Sequence, residues 1–316
     1  MNWIQKNKKF LRRFPPGGRY LVGLSGGRDS VALLHLLVEG GYKKLIACHL
    51  NHQLRGSSSD ADARFVKKFA GRYDVDLETS SADVRTLAEQ EKISIEAAAR
   101  EARYNFFARV AKRRKVLTIF LGHHADDLVE TFFINLFRGS GTTGLAAMRE
   151  ISKRRIDDVD LTIVRPFIGI WRSEIDEYIK MERLKFREDE SNKDLAALRN
   201  RVRQRIIPYL EKTLARNIRE SIWRAAMIAA EEENWIDDQL SNARDAELAA
   251  ATLRQLPIAL QRREILKWLR RKQITNVGFD IVEDVRALLD PESGVAKVNL
   301  PRDRHARRRA GKIFIE

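Results

Sequence analysis

Two spacings of apolar residues alternate along the first two-thirds of the chain, and only one of them continues into the last third. Tyr20–Leu24 is a short apolar run of strand-forming residues, after which Val31, Leu33, Leu34 and Leu37 return at helical spacing. LIACHL (45–50), VDLETS (75–80), VLTIFLGHH (116–124) and LTIVRPF (161–167) predict four further strands. Between them the serine-capped SSSDADARFVKKFAGRY (57–73), the long SIEAAAREARYNFFARVAKRRK (94–115) and DDLVETFFINLFRG (126–139), closed by Gly139, predict helices. Alternation of this kind predicts an α/β fold with a doubly wound parallel sheet, whose ligands sit beyond the carboxyl ends of the strands. From about residue 195 the pattern is helical: LAALRNRVRQRIIPYL, NIRESIWRAAMIAAEEENWIDDQL and PIALQRREILKWLRRK. VAKVNLPRDRHARRRAGKIFIE reads as two short strands around a basic turn. Pro208 should end or bend the first of these helices. The predicted division is 1–212, an α/β domain, and 213–316, a smaller and mainly helical one.

The junction of the first strand and helix changes the picture from fold to chemistry. It reads Ser25-Gly26-Gly27-Arg28-Asp29-Ser30. Two glycines permit positive φ and a close approach of an anion to the backbone, and the helix N-terminus offers unpaired N–H groups. An ordinary turn with Asp29 or Ser30 as helix cap is the plainer alternative. The loop lacks the lysine of G-x-x-x-x-G-K-[ST] and the spacing of G-x-G-x-x-G, which argues against γ-phosphoryl transfer and dinucleotide binding.

Composition narrows the partners. The 316 residues are 44% hydrophobic, enough for a sizeable core, and 59 Lys and Arg against 44 Asp and Glu give a net charge of +15. Such an excess favours a polyanion. The single cysteine, Cys48, excludes an internal disulfide and a cysteine-rich zinc site and fits the reducing cytoplasm. MNWIQKNKKF lacks a signal-peptide core, and no apolar run approaches membrane-spanning length, so no membrane partner is expected.

Three polar clusters fall at predicted strand ends: SGGRDS, His49–Arg55 and Gly122–Asp127. HLNHQLRG supplies His49, Asn51, His52 and Arg55, without the further ligands a zinc site needs. GHHADDLVET supplies His123, His124, Asp126, Asp127 and Glu130; the acids complement a helix dipole, or they serve Mg²⁺ or an amino group. Arg100, Arg103 and Tyr104 share one helix face, either as a site or as a solvated basic surface. EDESNKDLAALRNRVRQ gathers Asn192, Asp194, Arg199, Asn200 and Arg203, for which a capped basic helix is the alternative.

SGGRDS resembles the SGGxDS loop of the N-type ATP pyrophosphatases, the PP-loop superfamily. With HLNHQLR, AREARYNFF, GHHADDLVETFFINLFRGSG, VRPF and DESNKDLAALRNRVRQRIIPYL following in order, residues 19–212 resemble the bacterial tRNA(Ile)-lysidine synthetases, and the tail resembles their first C-terminal domain more weakly. The resemblance implies a PP-loop ATPase sheet, ATP with Mg²⁺, tRNA(Ile) bearing the anticodon CAU, and free L-lysine. In that family the wobble cytidine is adenylated, lysine attacks carbon 2 and AMP departs. Lysidine pairs with A, and the tRNA changes from methionine to isoleucine specificity. By the same resemblance Ser25, Gly26, Gly27, Arg28, Asp29 and Ser30 surround ATP, Asp29 holds the metal, and Asp127 and Glu130 bind lysine. Arg100 and Arg103 face phosphate or the nucleotide backbone, and His123 joins the catalytic set. Arg199 and Arg203 are expected beside the tRNA, and the basic run at Arg307, Arg308 and Arg309 on its phosphates. A homodimer is compatible with the family. Arg28 departs from the pattern as a bulky cation that either touches phosphate or points to solvent. The second C-terminal module of longer members is not seen, which leaves open how tRNA(Ile) is told from tRNA(Met). A sulfur-inserting or amidotransferase-linked relative, or a catalytically dead tRNA-binding protein, is the rival reading.

Overall fold

The computed structural model describes residues 8–54, 57–188, 197–240, 247–275 and 277–316. Arg55, Asn192 and Asp194 lie outside the described residues. Two compact units are present: residues 1–138 with 146–226, and residues 139–145 with 227–316.

The first unit is built on a six-stranded sheet. Its strands are β1 (Tyr20–Gly23), β2 (Leu45–Asn51), β3 (Asp76–Ser81), β4 (Thr118–Phe120), β5 (Ile151–Ile156) and β6 (Val159–Val164), in the order β3-β2-β1-β4-β6-β5. All pairings are parallel except β5 with β6. The inner parallel strands β1, β2 and β4 are apolar on both faces because both are covered, whereas β3, DLETSS, is a polar edge. Leu21 faces one cluster, with Tyr104, Phe107 and Ile119. Val22 faces the other, with Val31, Leu34, Val66 and Ile175. Helices Arg28–Glu39, Ser57–Arg72 and Arg172–Met181 pack on that second face, and Val84–Glu91 and Ile95–Arg114 on the first.

The sequence pattern misses β5 and the helices Val84–Glu91 and Arg172–Met181. β5 reads ISKRRI, with Lys153 and Arg155 exposed. A basic edge strand guards the sheet against pairing with another chain, and for that reason it carries no apolar strand signal. The chain leaves β1 in one direction to β2 and re-enters on the other side at β4. That reversal is the switch point of the sheet. The glycine loop and Gly122–Asp127 follow these two neighbouring strands, so the fold itself brings the two clusters together.

The boundary read at residue 212 falls inside the first unit, because Ile218 packs with Val129, Phe133 and Val202. In the second unit, three strands replace the two expected near the end. β7 (Leu248–Ala249), β8 (Lys297–Leu300), β9 (Arg304–Arg309) and β10 (Lys312–Ile315) form an antiparallel sheet in the order β7-β10-β9-β8. Its core includes Ile265, Trp268, Leu269, Val285, Ala306 and Ile313. The basic run therefore forms a strand, with only residues before Arg304 in the turn. Arg308 donates to the carbonyls of Leu288 at 3.1 Å and Asp290 at 2.6 Å, so it closes the end of the helix Phe279–Ala287. Arg307 and Arg309 are exposed, and Arg307 pairs with Glu316. Residues 139–145 join this unit through Thr142, whose hydroxyl donates to the wholly buried Glu233, which Arg263 also neutralises. Among the described residues, no helix is long and apolar enough to cross a membrane.

Candidate active site

The glycine loop is locked by its own serines. Ser30 Oγ accepts from the Ser25 amide at 3.2 Å and donates to the Gly27 carbonyl at 2.9 Å. Ser25 Oγ accepts from the Gly27 amide at 3.3 Å. Gly26 has φ +89°, and a Cβ there would stand 3.2 Å from Val66 Cγ2, so only glycine makes this turn without strain. Gly27 caps the helix Arg28–Glu39 without a side-chain partner for its first amides. Those N–H groups and the helix dipole are what an anion needs.

Arg28 does not enter this cradle through its side chain. Its guanidinium lies 2.6 Å from Asp176 and 4.9 Å over the ring of Phe186, an ion pair and a stacking contact that hold it to the helix Arg172–Met181. The expected choice between phosphate and solvent thus has a third answer. The loop has a cationic neighbour that sequence reading missed. Arg187 donates its backbone amide to Gly26 O at 2.9 Å and its Nε to Asp62 at 2.8 Å.

The second strand-end cluster closes directly onto the loop. A Cβ at Gly122 would stand 2.9 Å from the Asp29 carbonyl oxygen. Backbone cannot yield as a flexible side chain can. Gly122→Ala is therefore expected to lower the melting temperature and to reduce pyrophosphate release from ATP at least tenfold, by displacing Asp29. Thermal melting with a pyrophosphate assay checks both.

His124, 1% exposed, is the hub of the cluster: Nε2 lies 3.5 Å from Asp127 and 3.8 Å from Asp29, and Nδ1 lies 3.6 Å from Asp126. His123, the histidine expected in the catalytic set, occupies a different environment. Burial, with Arg165, Arg103 and Arg199 against Asp127, brings its pKa down to about 3, so it is a neutral imidazole at any physiological pH. The doublet is legible in the sequence, but which member meets the carboxylates depends on how the strand end turns into the helix.

The acids divide into distinct roles. Asp126 accepts from the Arg172 amide and from Arg219 Nη1, each at 2.9 Å, and so braces two helices. Asp127 accepts from the His124 amide at 3.1 Å. Its burial raises the pKa, but His124, His123, Arg199 and that amide outweigh it and hold Asp127 below the ordinary value. Glu130 is raised by burial even though Arg203 grips it with Nε at 2.5 Å and Nη2 at 3.0 Å. Asp29 is also raised by burial, which outweighs His124. Its side chain is 35% exposed overall, while its Oδ1 is buried and has no hydrogen-bond partner among the described residues.

Arg199 and Arg203, expected on tRNA, have the site's own groups as partners. Arg199 donates to Thr131 at 3.3 Å and lies 3.9 Å from Asp127. Arg203 sits in a π-helical turn, Val202–Ile206, between the helices Leu198–Arg201 and Ile207–Leu214. Pro208 lacks an amide and would press on the carbonyl of Gln204 in a regular helix, and the widened turn relieves this. Arg103 is half-buried, its Nε is buried and unpartnered among the described residues, and its pKa is lowered by desolvation and by Arg100 and Arg199. Arg100 is exposed and lies 5.7 Å from the ring of Tyr104. His49 Nδ1 pairs with Leu24 O at 3.0 Å and so ties β2 to the loop.

Among the described residues, no group of three or more His, Cys, Asp or Glu is arranged to hold a metal ion. The unpartnered Asp29 Oδ1 nevertheless fits Mg²⁺, which takes one or two carboxylates with phosphate oxygens and water rather than a full protein cage.

The PP-loop domain family matches residues 2–210, and the TilS substrate binding domain family matches residues 248–314. The tRNA(Ile)-lysidine synthase of Chlorobaculum tepidum is 34% identical over 305 residues, covering 91% of this chain and 89% of that protein. The chain belongs to the tRNA(Ile)-lysidine synthase family. The Geobacter sulfurreducens tRNA(Ile)-lysidine synthase is 36% identical over 304 residues, 92% of this chain but 63% of the relative, so the chain spans less than two-thirds of that protein's length. In fold it is similar to the U34-tRNA thiolase NcsA of Methanococcus maripaludis, with a TM-score of 0.55 at 19% identity over 73% of this chain and 79% of that one. In this member of the tRNA(Ile)-lysidine synthase family, the PP-loop match takes in the cradle, His124, Asp127, Glu130 and Arg203. The substrate-binding match takes in β8 and β9 and nearly all of β10.

Proposed function

We propose that this chain forms lysidine at the wobble cytidine of tRNA(Ile), with ATP and free L-lysine as co-substrates, in two steps that share one cleft. The observation that supports the reading is the closure of Gly122 onto Asp29, with His124 between Asp29 and Asp127: the glycine loop and the acids are neighbours, as activation and amine attack on one base require. In the first step the cytidine carbonyl oxygen attacks the α-phosphate of ATP and pyrophosphate leaves. The loop amides hold the pyrophosphate, and Arg103 and Arg199 face the charge that gathers on the transferred phosphate. Mg²⁺, held by Asp29, would neutralise phosphate charge when bound. In the second step the ε-amine of lysine attacks carbon 2, and AMP departs with the former carbonyl oxygen.

Lysine must give up a proton, since its ammonium has a reference pKa of about 10.4. Asp127, held below the ordinary range, stays ionised and supplies the charge that binds the ammonium. Glu130, raised by burial, is the better proton acceptor. Arg203 pairs with Glu130 and lies 3.5 Å from Asp127, so these acids already suit a cationic side chain such as that of lysine. The sulfur-inserting alternative lacks its nucleophile: burial drives the Cys48 thiol up to about 12, and Cys48 is the only cysteine in the sequence. The deciding experiment digests tRNA(Ile) to nucleosides after incubation with ATP and labelled lysine. Label in lysidine supports the reading, and label absent while ATP is consumed overturns it.

On the second unit, Arg307 and Arg309 are the side chains proposed to meet tRNA phosphates, because Arg308 is taken up by backbone carbonyls. Replacing Arg307 and Arg309 by Ala is expected to weaken tRNA binding and flatten its log–log salt dependence by about 1 to 2. Arg308→Ala is instead expected to cost about 1–2 kcal/mol of stability. Binding isotherms across a salt series, with melting curves, separate the two.

A further inference from the structure

Glycine loops that hold a polyphosphate commonly set a basic side chain against its outer phosphates. Here the lysine is missing from the loop, and Arg28 is turned to Asp176 and Phe186. We infer that Arg187, which follows the helix Arg172–Met181, supplies that cation as a positioning residue for the leaving pyrophosphate; the inference rests on the adenylating reading above.

Three observations carry it. First, Arg187 is fastened to the loop itself, its amide on Gly26 O at 2.9 Å. A Cβ at Gly26 would stand 3.8 Å from Arg187 Cγ, so the side chain starts against the left-handed turn of the loop. Second, the loop meets different neighbours at its two ends. Asp29 lies against Gly122 and 3.8 Å from His124, and Gly26 lies against Val66, Phe65 and Arg187. A triphosphate crossing the loop with its α-phosphate toward the acids extends its β- and γ-phosphates toward Arg187. Third, the guanidinium is held in reserve. Among the described residues its partner Asp62 is reached through Nε at 2.8 Å, and the two side chains are 42% and 21% exposed. An exposed pair of this kind is weak and screened by salt, whereas a guanidinium fork on a phosphate makes two charge-assisted bonds. Exchanging the single carboxylate of Asp62 for a multiply charged pyrophosphate therefore favours the phosphate. Asp62 keeps the arginine at the loop while no nucleotide is bound.

The test uses the full chain and measures binding of inorganic pyrophosphate, ATP and AMP by calorimetry, with the Michaelis constant for lysine. Arg187→Ala is expected to weaken pyrophosphate and ATP about tenfold or more, the usual scale for losing a charge-assisted contact. AMP affinity and the lysine constant should stay within about twofold, because neither ligand reaches that end of the loop. Arg187→Lys should restore part of the pyrophosphate affinity, and Asp62→Asn should leave it equal or tighter. Equal weakening of AMP and pyrophosphate in Arg187→Ala, or weaker pyrophosphate binding in Asp62→Asn, would make the residue a structural brace and overturn the inference. Unchanged pyrophosphate binding in Arg187→Ala overturns it as well. Failure of the parent protein to bind ATP would instead overturn the adenylating reading.

Discussion

Asp29→Asn is expected to lower adenylation of tRNA(Ile) by at least about 100-fold while leaving the chain as stable as the parent, or more so. Asp29 stands in the first turn of the helix that follows the glycine loop, with its Oδ1 buried and unpartnered among the described residues and its Oδ2 3.8 Å from His124. Burial raises its pKa above the ordinary carboxylate value. A raised carboxylate holds its proton more tightly in the folded chain than in the unfolded one. Stability therefore falls as pH rises through the window between those two values, and above it the whole penalty is present. Asparagine keeps the shape and removes that penalty, so its melting temperature at neutral pH should match or exceed the parent's. Activity has the opposite dependence. The charged form is the one that would hold Mg²⁺, so the parent's adenylation rate should fall as pH drops through the raised pKa. Pyrophosphate release and melting curves across this range check both halves. An Asn variant that releases pyrophosphate normally would remove Asp29 from the chemistry.

Glu130→Gln is expected to stop lysine transfer and leave adenylation running, so that adenylated tRNA accumulates. Glu130 is 1% exposed and holds Arg203 through both carboxylate oxygens. The amide keeps the volume but cannot accept a proton from lysine or bind its ammonium by charge. Lysidine formation per folded molecule should fall at least about 100-fold, the range expected when a proton acceptor is removed. Some stability is lost too, because Arg203 is left with a neutral partner. The loss should be held to about 1–2 kcal/mol, since the burial penalty on Glu130 already outweighs the attraction of Arg203. Measuring both half-reactions on protein of known folded fraction separates this from instability. A parallel loss of both steps would assign Glu130 to metal, ATP or packing instead.

The mutual placement of these groups was only partly legible in the chain. The strands buried on both faces carry continuous apolar runs, and the helices against them carry apolar residues three and four apart, so the alternation of the first unit can be read directly. The glycine loop can be read for the same kind of reason: a left-handed turn at Gly26 and a close approach at Gly122 leave glycine as their local trace. β5 was missed because an exposed basic edge needs no apolar face, and the final sheet was misread because Arg304 to Arg309 looks like a charged turn. Which of His123 and His124 meets the acids could not be read, since adjacent residues diverge by most of a right angle or more once the helix begins.

What the sequence determined by itself is therefore the α/β order, the anion cradle and the set of acids and arginines gathered near it. These depend on neighbours within one or two turns of chain, where spacing and residue type decide the conformation. The tertiary structure alone decided who partners whom. It turned Arg28 to Asp176, brought Arg187 from 161 positions further along onto Gly26, set Arg203 on Glu130, and gave Arg308 to the carbonyls behind it. An arginine reads the same in the chain whether it meets a carboxylate, a phosphate or water. Its partner is chosen by which strands and helices the sheet places side by side, and that choice is made over distances in sequence that no local pattern spans.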